Sequence, residues 1–121
     1  MRRGEIRWVA LDAGADAEAR SRAQRPAVIV SNDGANTAAA RRGSGAVTVV
    51  PLTTSDAPAK PFQVALAAGV GGLPRAAKAM AEQVRTVSAG RVGPSIGMLS
   101  LSDVAKIDDA LRLHLGLDRG R

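Results

Sequence analysis

The residues best suited to chemistry stand at the ends of two apolar runs. Arg25 precedes Pro26 at the entrance of one run, and Thr53 and Thr54 follow the exit of another. Because antiparallel pairing brings the entrance of one strand beside the exit of its neighbour, we expect these side chains to share one sheet edge. An arginine fork beside a hydroxyl can hold a phosphate and stabilise charge on phosphorus while a ribose 2′-hydroxyl attacks it. A structural salt bridge for Arg25 and a turn for Thr53 are the alternatives.

Carboxylates and one amide complete the candidate reactive groups. Asp16 and Glu18 lie in the polar loop 12–24, where a carboxylate can act as general base toward that hydroxyl or remain a solvated charge. Gln83 follows Glu82 in an apolar stretch. If the Gln83 amide is buried, it needs hydrogen-bond partners, which either the protein or a substrate can supply.

The composition excludes several kinds of catalytic site. The chain of 121 residues has no Cys and one His, which rules out thiolate metal sites, cysteine nucleophiles and paired histidines. It carries 17 basic against 11 acidic residues, and 14 of the basic residues are arginines. This balance favours a polyanionic partner, although coding bias produces it too. The glycine-rich segments 41–45 and 69–72 lack the Lys-Ser or Lys-Thr of a phosphate-binding loop and predict hairpin turns.

Short strands dominate the first two thirds of the predicted fold. The runs 27–30 and 47–50 are almost continuously apolar, which is typical of central strands covered on both faces. The chain's two aromatic residues, Trp8 and Phe62, are expected in the core. Val- and Ile-rich runs predict strands at residues 4–11, 26–31, 46–52, 62–67 and 79–87, with polar loops at 12–24, 32–44 and 53–60.

The chain is expected to end in one helix over residues 101–116. Leu101, Val104, Ile107 and Leu111 recur at helical spacing, and Ser100 is suited to cap the helix start. With no repeat or linker, the sequence predicts a single domain over residues 1–121, mainly β with a C-terminal α-helix. No apolar stretch is long enough to span a membrane and the N-terminus lacks an apolar signal region, so a cytoplasmic location is expected.

An ordered set of fragments resembles the MazF/PemK family of toxins. The fragments are collinear over residues 2–117, and their order is more specific than any one of them. They are Arg3-Gly4-Glu5-Ile6, the stretch from Arg25-Pro26 to Asn32-Asp33, Val47 to Thr53, Pro61-Phe62-Gln63-Val64, Glu82 to Val87, Ile96-Gly97, and Ile107 to Leu111.

This resemblance implies a small SH3-like barrel of the CcdB/MazF type that works as a homodimer. It implies a sequence-specific, ribosome-independent and metal-independent endoribonuclease, an mRNA interferase, that cleaves single-stranded RNA without a cofactor. It also implies a cognate MazE-like antitoxin that covers the RNA groove.

The resemblance also assigns roles to individual positions. Arg25 matches the family's catalytic arginine, Thr53 its catalytic threonine and Glu18 its loop glutamate. Gln83 matches a glutamine that contacts RNA in some members, and Thr54 is a further candidate for RNA binding.

The first loop departs from the family pattern. Ala13 follows Asp12 where the family usually has Pro, and Asp16-Ala17 stand in place of Gly-Ser. Ser21 is the candidate replacement for the missing hydroxyl. The alternatives within the same fold are a non-enzymatic CcdB-like DNA gyrase poison and a catalytically impaired RNA-binding module, because fold alone does not decide function.

Overall fold

The described part of the chain contains seven antiparallel strands and two α-helices. The computed structural model describes residues 1–11, 24–55 and 57–117. In chain order the elements are β1 (Glu5–Ala10), β2 (Gln24–Ile29), α1 (Asp33–Arg42), β3 (Ala46–Thr53), β4 (Gln63–Leu66), β5 (Ala77–Met80), β6 (Arg85–Ser88), β7 (Val92–Met98) and α2 (Leu101–Leu115). The predicted mainly β fold with a C-terminal helix is therefore confirmed. No helix in the described ranges is both long and apolar enough to cross a membrane.

The strand β3 is the centre of the sheet. The strand order is β4-β5-β3-β2-β1-β7, and β6 also pairs with β3. The first half of β3 pairs with β6 from Ala46 to Val49, and its end pairs with β5 at Leu52 and Thr53. One strand thus links both parts of the sheet, which places the end of β3 beside β5.

Two hydrophobic clusters cover the opposite faces of the central strands. Val28 and Val50 belong to a cluster that includes Ile107 of α2. Their neighbours along the strands, among them Ile29 and Val49, belong to a second cluster that includes Ala39 of α1. Successive strand residues point to opposite faces, so strands covered on both sides need apolar residues throughout. The prediction that runs 27–30 and 47–50 are covered on both faces is confirmed.

The helix α1 replaces most of the loop predicted at 32–44. Its start is capped by Asn32, whose side-chain oxygen accepts a hydrogen bond from the Ala35 N–H at 2.8 Å, and it ends at Gly43 with φ 63°. Only Asn36 and Ala39 of this helix are buried. The prediction was wrong because a helix that buries two small or polar residues has no apolar stripe to reveal it. Gly43 therefore ends a helix instead of forming a hairpin turn.

The predicted strand at 79–87 is two strands joined by a 3₁₀ turn at Ala81–Gln83. The chain bends there because β5 and β6 pair with different parts of β3. The sequence did not reveal β7, which contains Pro94 and two glycines and pairs with β1 alone. Proline is tolerated in such an edge strand because an edge has unpaired backbone positions.

The C-terminal helix agrees with its prediction, whereas the predicted core position of Trp8 is wrong. The Ser100 hydroxyl accepts a hydrogen bond from the Asp103 N–H at 3.1 Å, and the helix ends at Gly116, as predicted. Trp8 is not a core residue, since 36% of it is exposed. Phe62 is half-buried, and its ring centroid lies 6.2 Å from that of His114 in the last turn of α2.

Candidate active site

Arg25 and Thr53 lie just beyond the same end of the β2–β3 ladder. In the β2–β3 ladder, Ala27 faces Pro51 and Ile29 faces Val49. The Ala27–Pro51 pair is the last of this ladder, and Arg25, the second residue of β2, and Thr53, the last residue of β3, each lie two residues beyond it. Directly opposed residues of an antiparallel pair project from the same face. The fold thus brings the start of β2 and the end of β3 to the same end of the ladder, and direct opposition of Arg25 and Thr53 stays a prediction.

A row of residues crosses four strands at this end of the sheet. Arg25 pairs with Val9 of β1 on one side, and Thr53 pairs with Lys78 of β5 on the other. We call Arg25, Thr53 and Lys78 the site row. Arg25 is exposed and Thr53 half-buried, whereas Lys78 is buried. The row therefore presents a guanidinium, a hydroxyl and an ammonium on one face, and sequence analysis did not identify the ammonium.

Two further arginines hold the strand that supports Arg25. The Arg85 guanidinium donates to the Leu11 carbonyl at 3.2 Å, and the Arg91 guanidinium donates to the Ala10 carbonyl at 3.0 Å. Ala10 is also the last residue of β1 that pairs with β2, opposite Gln24. These bonds fix the end of β1 where its neighbour carries Arg25. No local motif in the sequence marks either arginine, because their partners lie 74 and 81 residues away.

The other predicted site residues occupy two regions. Thr54 is exposed directly after Thr53, and Gln83 is exposed at the end of the 3₁₀ turn between β5 and β6. The Gln83 amide thus does not require partners inside the protein. Glu18 and Ser21, together with Asp16, lie outside the described residues.

The neighbouring Glu82 has a carboxylate that sequence analysis did not single out. Its Oε2 accepts a hydrogen bond from the Gln63 amide at 2.6 Å. Its Oε1 is buried and has no hydrogen-bond partner among the residues described. This polar contact ties the turn after β5 to the start of β4.

The acidic side chains of the described ranges lie mostly away from the site row. Asp108 pairs with Arg3 at 2.6 Å and Asp109 with Arg112 at 2.8 Å, both on α2. Over the ranges 1–11, 24–55 and 57–117, neither Arg25 nor Lys78 makes a salt bridge, so the alternative of a structural ion pair for Arg25 is not found there. Among the described residues, no acidic side chain pairs with the two cations of the row, which suits an anionic ligand.

A charged pair on β1 lies on the same side of that strand as Val9. Glu5 accepts a hydrogen bond from Arg7 at 3.2 Å. Burial tends to raise the pKa of Glu5, but hydrogen bonds from Ser95, Arg7 and the Arg2 N–H, together with the charge of Arg7, lower that pKa overall.

Across the described part of the chain, no three His, Asp or Glu side chains are close enough together to hold a metal ion.

Comparison with known proteins identifies the family. Residues 2–115 match the family of PemK-like, MazF-like toxins of type II toxin–antitoxin systems. The chain belongs to this family. This MazF/PemK-family chain is 50% identical to the endoribonuclease MazF9 of Mycobacterium tuberculosis over 117 residues, which cover 97% of this chain and 98% of the relative. The family predicted from the sequence is thereby confirmed, and the endoribonuclease class expected of the chain agrees with the name of this relative.

Solved structures share the fold of this MazF/PemK-family chain. An endoribonuclease from a mycobacterial species, solved in complex with its cognate antitoxin, superposes with a TM-score of 0.75 at 26% identity and 99% coverage of both chains. A MazE–MazF complex from Deinococcus radiodurans gives a TM-score of 0.70 at 20% identity, covering 96% of this chain and 95% of its own. The second likeness shows the fold alone, and that fold is the MazF-type barrel expected from the resemblance.

Proposed function

We propose that this MazF/PemK-family toxin is an endoribonuclease that cuts single-stranded RNA at a preferred short sequence, without a metal ion. Family membership and the 50% identity to an endoribonuclease support the enzyme class. The observation that carries the proposal is the β2–β3 ladder, whose last pair, Ala27–Pro51, leaves Arg25 and Thr53 each two residues beyond it at the same end of the sheet. These two side chains are the catalytic groups that the resemblance implies.

The proposed reaction is attack of a ribose 2′-hydroxyl on the adjacent phosphorus. The 2′-oxygen forms a bond to phosphorus as the bond to the 5′-oxygen breaks, which leaves a 2′,3′-cyclic phosphate and a 5′-hydroxyl end. The 2′-proton passes to a general base, for which Glu18 is the candidate, and the departing 5′-oxygen takes a proton from Arg25, which regains one from water. Arg25 donates to the non-bridging oxygens and stabilises the charge that grows on them, while the Thr53 hydroxyl fixes the phosphate.

The binding of RNA outside the cleaved bond is assigned to further polar side chains. Thr54 and Gln83 are exposed, and together with Ser21 they are the proposed contacts that select the sequence. Because Trp8 and Phe62 are the only Trp, Phe or Tyr residues of the sequence, stacking of bases on aromatic side chains contributes little to RNA binding. Backbone, hydroxyl and arginine contacts then provide most of the affinity.

We also propose that the toxin is a homodimer neutralised by a MazE-like antitoxin in the cytoplasm. Trp8, Met98 and Leu101 are exposed by 36%, 43% and 89%, and Met98 lies on the edge strand β7. Exposed apolar side chains beside an unpaired strand edge are suited to contact with a second copy. The similar mycobacterial endoribonuclease was solved with its cognate antitoxin, which supports the antitoxin partner.

The proposal is tested by incubating a long defined RNA with the purified chain in EDTA and mapping new ends by primer extension. We expect discrete cuts at one repeated short motif. Arg25→Ala is expected to slow cleavage roughly 100- to 1,000-fold, because it removes a preorganised donor to the transition state. Arg112→Ala is the matched control, since Arg112 pairs with Asp109 on α2.

The outcomes separate the alternatives. A fully active Arg25→Ala protein with unchanged circular dichroism contradicts the catalytic assignment. Intact RNA with the folded wild-type chain contradicts the enzyme proposal. Retention of RNA without product then indicates a binding module, and inhibition of purified gyrase indicates a gyrase poison.

A further inference from the structure

Lys78 is a buried cation next to the proposed catalytic residues. Only 7% of it is exposed, and it is the one charged residue classed as buried among those described. Its ammonium donates a hydrogen bond to the Ala57 carbonyl. Within the described ranges it has no acidic partner. An ammonium has three donors, and burial without an ion partner costs free energy that a bound anion would offset.

The strand register directs Lys78 to the face that carries Thr53. The two residues are directly opposed in the β3–β5 ladder. Their Cβ atoms are therefore about 5 Å apart, with both side chains on one face. Arg25 flanks Thr53 on the β2 side, so the two cations of the site row lie two strand spacings apart, with the hydroxyl between them.

A cavity opens beside Lys78. It has a volume of about 490 Å³, and its polar lining comes from Lys78 and the hydroxyls of Thr54 and Ser55. Alanines 57, 59, 65, 67, 76 and 77 form much of the remaining wall. Small side chains leave room at the wall, while an ammonium and two hydroxyls are donors suited to phosphate oxygens.

We propose that Lys78, Thr54 and Ser55 form a second phosphate subsite, which binds the RNA phosphate one nucleotide away from the scissile phosphate. The proposal rests on the proposed function, because RNA bound across Arg25 and Thr53 delivers its neighbouring phosphate along the site row. The subsite contributes to substrate binding. Lys78 therefore sets the affinity for RNA longer than the minimal cleaved unit, and the bond to Ala57 holds its ammonium at the cavity.

The test measures binding of a short RNA that carries the mapped motif and a 2′-deoxyribose at the cut position, so that it is not cleaved. Lys78→Met keeps the length of the buried side chain and removes its charge. We expect Lys78→Met to weaken binding about tenfold and to make the dependence of log K on log salt shallower by about 0.7, the value for one neutralised phosphate on a single strand. Lys106→Met on α2 is the control with the same loss of net charge, and it should leave both quantities unchanged.

Chemical substitution of the RNA locates the contact. Two oligonucleotides carry an uncharged methylphosphonate on the 5′ or the 3′ side of the cut position. One of these two methylphosphonates should weaken binding to the wild-type chain about tenfold. The same methylphosphonate should leave binding to Lys78→Met almost unchanged, because that variant already lacks the contact between Lys78 and the phosphate. If Lys78→Met does not fold, Thr54→Val takes its place in the same comparison, because it removes an exposed hydroxyl of the same subsite.

The outcomes distinguish a failure of the subsite from a failure of the proposed function. Equal penalties for the methylphosphonate in the wild-type chain and in Lys78→Met, with parallel salt slopes, overturn the subsite and leave Lys78 as a tether for the segment around Ala57. Cleavage of RNA together with those equal penalties leaves the proposed function standing. A wild-type chain that binds no RNA overturns both.

Discussion

Arg25 and Thr53 should act on one phosphate, so their substitutions should not be additive. If the β2–β3 register continues two residues past the Ala27–Pro51 pair, they oppose each other, and the Cβ atoms of opposed residues are about 5 Å apart. A single phosphate can therefore contact both side chains. Groups that share one partner are coupled by roughly 0.5–3 kcal/mol, whereas distant sites add independently.

The magnitudes follow from the type of donor. Loss of the Arg25 donor is expected to slow the chemical step by roughly 100- to 1,000-fold. Thr53→Val removes one neutral hydroxyl, worth about 0.5–1.5 kcal/mol, which corresponds to roughly a two- to tenfold loss. Because the phosphate is already misplaced without Arg25, adding Thr53→Val to Arg25→Ala should slow cleavage by less than about twofold more.

Single-turnover cleavage of a short RNA with the mapped motif is the appropriate assay, because it reports the chemical step and excludes product release. Thr86→Val serves as the matched control, since Thr86 is an exposed threonine on β6. The reasoning is refuted if the free-energy effects of Arg25→Ala and Thr53→Val simply add. It is refuted equally if Thr53→Val has no larger effect than Thr86→Val.

Two further predictions concern stability. Asn36 is fully buried, donates to the Ser31 carbonyl at 2.8 Å and accepts from the Ser31 hydroxyl, so Asn36→Ala should cost about 2 kcal/mol and lower Tm by roughly 10 °C. Thermal unfolding followed by circular dichroism measures this, and an effect no larger than that of the exposed Thr37→Ala would contradict it. The lowered pKa of Glu5 means that its ionised form stabilises the fold above the ordinary value of 4.5, and that this stabilisation is lost as the pH falls through the lowered pKa. Denaturant titrations from pH 7 to pH 3 should show a smaller acid loss for Glu5→Gln than for wild type, and parallel curves would show that Glu5 does not contribute.

The sequence determined the features that depend on local patterns. Apolar runs predicted the strands around Val28 and Val49, because burial on both faces requires continuous apolar residues. Helical spacing and the Ser100 cap gave α2 to within one residue at its C-terminal end. The positions of Arg25 and Thr53 at strand ends also follow from the local pattern. An antiparallel pair brings the start of one strand beside the end of its neighbour, and this does not depend on the rest of the fold.

Tertiary structure alone decided the features that depend on distant partners. The helix α1 buries only Asn36 and Ala39, so it has no periodic signal, and its place is fixed by contact with the sheet. The strand β7 is recognised only by its pairing with β1. Lys78 looks like any solvent-facing strand lysine in the sequence, but the pairing of β5 with the end of β3 buries it beside Thr53. Such contacts join residues far apart along the chain, and no local pattern of residue types encodes them.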